Sequence, residues 1–301
     1  MSTPTTTSSS TEKFDLLRTH NELQQLLFNP IVPISTFALA PINVVMVTQQ
    51  IGNAQAGKDF MSTYQLLMKA EGYQAFAKGF FSQYLAFAVE EKIRRYISTR
   101  LAMTSWGNAL LPEFAVLLGH WLTYPLKIIR TRLIQQTKNE KYNGIFDCFV
   151  KMRQEEGTTS MWRGVLLDTL RVAIGLVFNN WAHVALTVPV FKRLPSYLAL
   201  FSGVPAELLL GVFTFPISTI VTKLQSQAEN IPKSIRCDVE AEGVVDCAQK
   251  TYNKSLGHFW NGYFAFCLRT VAQVAAVSFL THAVWRVGYL RRTFLPPTSQ
   301  Q

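Results

Sequence analysis

The feature that most constrains this chain is one pattern written three times. An apolar stretch meets a proline, continues in polar residues, passes through a short amphipathic segment, and ends at a glycine that opens a second apolar stretch. The prolines are Pro41 in ALAPINVVMVTQQ, Pro125 in LTYPLKIIRTRLIQQ and Pro216 in FTFPISTIVTKLQSQ, spaced 84 and 91 residues apart. The glycines close FAKG at Gly79, MWRG at Gly164 and FWNG at Gly262. Between these landmarks lie DFMSTYQLLMK, NGIFDCFVKMR and EGVVDCAQKTY, which read as short surface helices. A chance trio of prolines would not bring three matching glycines, so the pattern is a true internal repeat.

Each unit reads as helix, short amphipathic helix, helix. The six long helices are placed at 23–50, 80–101, 106–136, 165–187, 196–227 and 263–286. Composition says what surrounds them: 49% of residues are hydrophobic and 16% charged, against about 25% charged in soluble domains. Single polar residues break the apolar stretches, as expected of helices with one face on lipid and another on water or on each other. Backbone groups in lipid must bond within their own segment, which selects helices. The reading is an all-α membrane protein with six transmembrane helices in three pseudo-threefold repeats. Its divisions are a flexible Ser/Thr-rich segment at 1–22, repeats at 23–103, 104–195 and 196–290, and a tail at 291–301. Proline inside each odd-numbered helix should kink it, because one backbone bond is lost and the ring crowds the preceding turn.

Other function classes find little support. The net charge of +10 is spread over the ends of apolar segments, where anionic headgroups are met, so no nucleic-acid partner is expected. Cys148, Cys237, Cys247 and Cys267 lack zinc-site spacing and are read as free thiols, with no metal. The opening MSTPTTTSSSTEKFD has neither the arginine-rich amphipathic character of a transit peptide nor the apolar core of a secretory signal, so targeting is expected to be internal. Without a glycine-rich phosphate loop, metal constellation or nucleophile–base pair, the chain is not expected to be an enzyme.

EGYQAFAKG (Glu71 to Gly79) and EGTTSMWRG (Glu156 to Gly164), each following a proline-kinked helix in units of roughly 90 residues, resemble the mitochondrial carrier family. KSLGHFWNG (Lys254 to Gly262) is a degenerate third copy. YNGIFDCFVK, EGVVDCAQK and YPLKIIRTRL are similar to the ADP/ATP carriers within that family. The resemblance covers roughly residues 20 to 290. It implies six helices across the mitochondrial inner membrane, amphipathic helices on the matrix side, and solute exchange by alternating access.

Family members place an acid two residues after each kink proline and a base five residues after it, and these pair across neighbouring helices to close the matrix side. Here those sites hold Asn43 and Met46, Lys127 and Arg130, then Ser218 and Val221. No acid survives, so the family's matrix lock is expected not to form, with Lys127 left unpaired beside Arg130. The family's cytosolic counterpart has one copy at most, Glu91 with Arg94. Gln50 and Gln225, nine residues after their prolines, match the family's glutamine braces.

The family's contact level for substrate falls on Ala86, Arg171 and Arg269, each seven residues after its glycine. The two arginines are candidates for an anionic solute, or structural residues held within the bundle or by Asp168. The lysine that ADP/ATP carriers bear in the first helix is Thr36 here, and their tyrosine ladder falls on Gly175, Asn179 and His183, which argues against adenine nucleotide exchange. His120 and His183 are expected to be satisfied core groups. The family holds cardiolipin phosphates at helix N-termini, so Lys78, Gly79, Gly144, Arg163 and Gly164 are candidates for structural cardiolipin. With the carboxylates gone, the favoured expectation is a transport-impaired accessory subunit beside other subunits of an inner-membrane respiratory complex. The alternative is a working exchanger of an anionic metabolite, such as a nucleotide.

Overall fold

The computed structural model describes residues 34–52, 56–57, 59–101, 111–136, 141–182, 203–228, 236–241 and 243–294. Among them the architecture is all-α, with no strand. The first unit contains α1 (Ala40–Ile51), α2 (Phe60–Glu71), a 3-10 turn (Gly72–Ala77) and α3 (Phe80–Leu101). The second contains α4 (Leu111–Gln135), α5 (Ile145–Glu155), a 3-10 turn (Thr158–Trp162) and α6 (Val165–Ala182). The third contains α7 (Gly203–Ser226), α8 (Val244–Lys254), a 3-10 turn (Leu256–Trp260) and α9 (Tyr263–Phe294). The same order thus recurs three times.

Helix α3 falls where the sequence places it. The last helix runs on to Phe294, past the expected end at 286, because VGYLRRTF holds no proline or final glycine stop. The expected helical residues 23–33, 106–110, 183–187 and 196–202 lie outside the described residues, as does His183. Pro125 and Pro216 sit inside α4 and α7. Pro41 instead occupies the first turn of α1, after Leu39 leaves helical geometry at φ −95° and ψ 6°. There its missing N–H costs nothing, so the first proline ends one segment and starts another.

The chain divides into two compact units, Leu39–Val271 and the paired segments Met1–Ala38 with Ala272–Gln301. In the latter, residues 34–38 are helical and Gln273 donates from Nε2 to Ser35 Oγ at 2.7 Å.

Within Leu39–Val271 the three repeats close on one another in a cycle. Each unit's glycine packs against the proline-bearing helix of the next unit. A Cβ on Gly79 would lie 2.8 Å from Arg130 Cγ in α4, and one on Gly164 3.3 Å from Tyr124 Oη and 3.7 Å from Leu224 in α7. One on Gly262 would lie 3.0 Å from the Met46 carbonyl in α1. All three have positive φ, at 69°, 82° and 89°, which other residues adopt only with strain. Glycine is therefore required twice over, by backbone angle and by the approach of the neighbouring helix.

The short helices follow a common rule. Each buries two residues one turn apart, Thr63 and Leu67 in α2, Cys148 and Met152 in α5, and Cys247 and Thr251 in α8. At the start of α2, the Asp59 N–H donates to Ser62 Oγ at 2.9 Å. Burial pushes the Cys148 thiol up to about 12 and the Cys247 thiol up to about 11, so both stay protonated. Val45, Val47 and Ile51 of α1 pack with Leu67, Phe76, Ile134 and Phe215 in one apolar cluster. Tyr124, Ile128, Ile129 and Cys148 anchor a second. On the outside, Phe81, Leu122, Leu166, Val177, Phe213 and Phe264 are exposed, a surface suited to hydrocarbon rather than water. Val204–Ser226 and Leu256–Leu280 have the length and hydropathy to cross a membrane.

Candidate functional site

Around and beyond the prolines, α1, α4 and α7 meet in a network of amides and hydroxyls. Gln50 of α1 donates from Nε2 to Ser218 Oγ at 3.3 Å and accepts at Oε1 from Thr222 Oγ1 at 3.0 Å, both on α7. Gln225 of α7 accepts from Thr131 Oγ1 at 2.9 Å and donates to Tyr124 Oη at 3.1 Å, both on α4. Between α1 and α4 the contact is apolar, through Ile134 against the Val45 cluster. Asn43, Met46 and Val221 are buried in this layer, and the Asn43 side-chain oxygen has no hydrogen-bond partner. Gln50 and Gln225, which match the family's glutamine braces, therefore join α1 to α7 and α7 to α4.

Two buried bases below this layer are paired with acids. Arg132 is buried and pairs with Glu156 at 2.5 and 2.7 Å, while also donating to the Gln225 and Gln227 carbonyls. Lys223, also fully buried, reaches both oxygens of Asp238 at 2.8 and 3.1 Å. The segment carrying Asp238 is tied to α1, since the Asp238 N–H donates to the Ile51 carbonyl at 3.4 Å. Such pairs are costly to break one partner at a time, by about 3–5 kcal/mol. They fix the lower ends of the helices.

Above the layer the expectation for Lys127 is corrected. Its ammonium lies 2.7 Å from Glu90 Oε1 of α3 and 2.7 Å from His120 Nδ1 on its own helix. Thr123 donates to the same Glu90 oxygen at 2.7 Å. Glu90 reaches this position because α3 runs close to α4, its Cα 3.4 Å from where a Gly119 Cβ would sit. Glu91 turns away and pairs with Arg94 and Arg95. An acid missing from the position after Pro125 is thus supplied by another helix, and no motif in that helix announces it.

Three half-buried arginines lie nearby. Arg171 is held by Asp168 at 2.7 Å on α6. Arg130 faces the charge of Arg269, and Arg269 those of Glu207 and Arg171. Among the described residues neither Arg130 nor Arg269 makes a hydrogen bond or ion pair; the Arg269 guanidinium lies 5.6 Å from the Phe266 ring centre. Three guanidinium groups therefore face two carboxylates. This surplus of positive charge lies among helices of low polarity, where an uncompensated charge is expensive.

The candidates for lipid phosphate are used partly for other ends. Lys78 pairs with Glu71 and donates to the Gln136 carbonyl at 2.8 Å, and Arg163 donates to the Gln227 carbonyl at 3.1 Å, so both bases tie one repeat to the next. Gly79 and Gly144 nevertheless border a cleft of about 190 Å³ with Lys78, Ser82 and Asn143. Gly79 precedes α3 and Gly144 caps α5, so two helix N-termini open on it. Gly164 packs beside Tyr124 and Leu224 rather than on this cleft.

A family model described as mitochondrial carrier protein matches residues 102–182 and 192–289, the second and third repeats. The chain is 25% identical over 247 residues to solute carrier family 25 member 43 of Danio rerio, covering 77% of this chain and 71% of that protein. It is 22% identical over 280 residues to nicotinamide adenine dinucleotide transporter 2, mitochondrial, of Arabidopsis thaliana, covering 81% and 73%. Similarity to nucleotide carriers is distant: adenine nucleotide transporter BT1, chloroplastic/mitochondrial, of the same plant is 24% identical over 273 residues, covering 83% and 65%.

Proposed function

The chain belongs to the mitochondrial carrier family of membrane proteins, and from that premise we propose that it exchanges a small anionic metabolite across the mitochondrial inner membrane through six helices. The observation that carries this reading is the arginine surplus. Arg130 and Arg269 stand together without an ion pair among the described residues, Glu207 being the carboxylate whose charge reaches Arg269, and Arg171 is only partly exposed beside Asp168. An anion would supply the missing charge.

The loss of the family's acids does not leave the inner mouth without a closure. Gln50, Ser218, Thr222, Thr131 and Gln225 form a neutral latch, each bond contributing about 1 kcal/mol. Weak bonds suit a gate that must open and reclose. Structural cardiolipin is proposed at the cleft beside Gly79 and Gly144, where helix N-termini attract phosphate. The names of the mitochondrial nicotinamide adenine dinucleotide and adenine nucleotide transporters keep a nucleotide among the candidate solutes.

The second reading is an accessory subunit of an inner-membrane complex, with Arg130 and Arg269 filled by a permanent partner. Thermal unfolding of the purified chain with ADP, phosphate, sulfate or citrate separates the two. A bound anion at a hundred times its Kd should stabilise by about 2.7 kcal/mol, and Arg269→Gln should remove that gain. If no anion raises the unfolding temperature, the exchanger reading fails.

A further inference from the structure

The third repeat departs from the other two at two charged positions. In the second repeat Arg132, seven residues after Pro125, pairs with Glu156, eight residues before Gly164. In the third, Lys223 stands seven residues after Pro216, but the place eight residues before Gly262 holds another base, Lys254. A buried base without an acid would be expensive. The acid comes instead from Asp238, in the stretch 236–241 between α7 and α8. Its carboxylate reaches Lys223 at 2.8 and 3.1 Å and Lys254 at 3.3 Å, and Lys254 also donates to the Asp238 carbonyl. The Lys223 side chain is 0% exposed and that of Asp238 14%.

The second departure is Asn261. Lys78 and Arg163, each one residue before the glycine of its unit, donate to carbonyls of the next unit, Gln136 and Gln227. Asn261 takes that place in the third unit and carries no charge. Where the third repeat meets the first, the bonds are between neutral groups. Gln50 bonds with Ser218 and Thr222, the Asp238 N–H donates to the Ile51 carbonyl at 3.4 Å, and the Cys237 S–H donates to the same carbonyl at 3.2 Å. A thiol is a weak donor, and burial keeps this one protonated. Charge-assisted bonds are about twice as strong as neutral ones, so the stretch 236–241 is held firmly by α7 and α8 and lightly by α1. Val239 adds to the firm side by packing with Leu224 and Cys247. Over the end of α1 the fit is close, since a Cβ on Gly52 would lie 2.7 Å from Asp238 Cγ.

We propose that the bundle opens between its first and third repeats, and that Asp238 is the positioning residue that sets the stretch 236–241 as a clasp over that seam. This rests on the exchanger reading. On opening, the neutral bonds to Ile51 and Gln50 part, while Asp238 keeps Lys223 and Lys254 and the clasp leaves with α7 and α8. The other two seams, each crossed by a base on a carbonyl, stay shut as this one parts. Three repeats that look alike thus open unequally, because the third has lost the charge that would tie it to the first.

The test is hydrogen–deuterium exchange of the full chain in cardiolipin nanodiscs, read by mass spectrometry. The peptide covering 236–241 is compared with the corresponding stretch of the second repeat, where the Tyr142 N–H donates to Gln136 Oε1 at 2.8 Å. The clasp should exchange about tenfold faster than that stretch, and Asp238→Asn should speed it by about tenfold more while leaving the Tyr142 stretch unchanged. Lys254→Gln removes one partner from a half-exposed site and should give a smaller rise, about threefold, which decides the matter if Asp238→Asn does not fold. In cardiolipin liposomes the maximal rate of labelled ADP or phosphate exchange should rise by about two- to fivefold in either variant, with the half-saturating concentration unchanged. A clasp as protected as the Tyr142 stretch, or an equal rise over the whole chain, overturns the proposal, as does a shift in half-saturation without one in maximal rate. If the unaltered chain exchanges no anion, the exchanger reading fails, and the hydrogen exchange alone decides whether this seam is the one that parts.

Discussion

Replacing Gly79 by alanine tests whether the repeats close on each other as described. The new methyl would stand 2.8 Å from Arg130 Cγ and 3.2 Å from the Arg130 carbonyl oxygen, at a φ of 69°. The backbone angle alone costs about 1–2 kcal/mol for a residue with a Cβ. Forcing the methyl against α4 adds about 1–3 kcal/mol, because the carbonyl belongs to a packed helix and cannot swing aside. The sum is about 2–5 kcal/mol. Gly72 is the control for the close approach, since its φ is also positive at 67° but a Cβ there meets nothing within 4 Å. Gly72→Ala should therefore show the backbone cost alone. Unfolding can be followed with a thiol-reactive dye, because Cys148, Cys237 and Cys247 are buried and report only when the fold opens. At about 2.1 cal/mol/K per residue, a chain of 301 residues loses on the order of 2 °C per kcal/mol. The expected falls are about 2–4 °C for Gly72→Ala and about 4–10 °C for Gly79→Ala. Equal falls would refute the close approach of the first repeat to α4.

Three further outcomes follow from the same geometry. Glu156→Gln leaves Arg132 buried with its carbonyl acceptors but no carboxylate, and should cost about 3–5 kcal/mol in the same unfolding assay. Maleimide at pH 7 should leave Cys148 and Cys247 unlabelled in the folded chain, because burial holds both thiols protonated at about 12 and 11, and mass spectrometry after a timed quench checks this. Thr222→Val removes one bond of the latch to Gln50 at a cost of about 1 kcal/mol. It should speed any exchange limited by opening by up to about fivefold, read as the initial rate of labelled-anion uptake.

Much of the architecture was legible in the sequence because it rests on local rules. The prolines, the glycines and the amphipathic segments each have a backbone or burial requirement that only certain residues meet, so Pro125, Pro216, Gly79, Gly164 and Gly262 stand where the pattern puts them. Pro41 differed in detail because a proline is tolerated at the start of a helix as well as inside one. The site was legible only in part. Arg171 and Arg269 follow from their distance to a glycine, and the structure brings Arg130 to them. Partners supplied from distant segments left no trace in any local motif. Glu90 reaches Lys127 only because α3 crosses α4 near Gly119, and Asp238 reaches Lys223 from a segment between α7 and α8. Counting acids near the prolines therefore missed the carboxylates that meet Lys127 and Lys223. The network of amides and hydroxyls leaves no local trace either, because Ser218, Thr131 and Thr222 look ordinary in a helix until their neighbours across the bundle are known. His120 was expected to be a satisfied core group and instead keeps an unbonded nitrogen.

The most direct measurement is exchange of labelled nucleotides, phosphate and dicarboxylates by the purified chain in liposomes containing cardiolipin. The account predicts saturable exchange of at least one of these anions, lost in an Arg130→Gln, Arg269→Gln double variant that unfolds at a temperature close to the parent's. Absence of exchange of every anion, with the chain recovered from mitochondria inside a large complex, would contradict it.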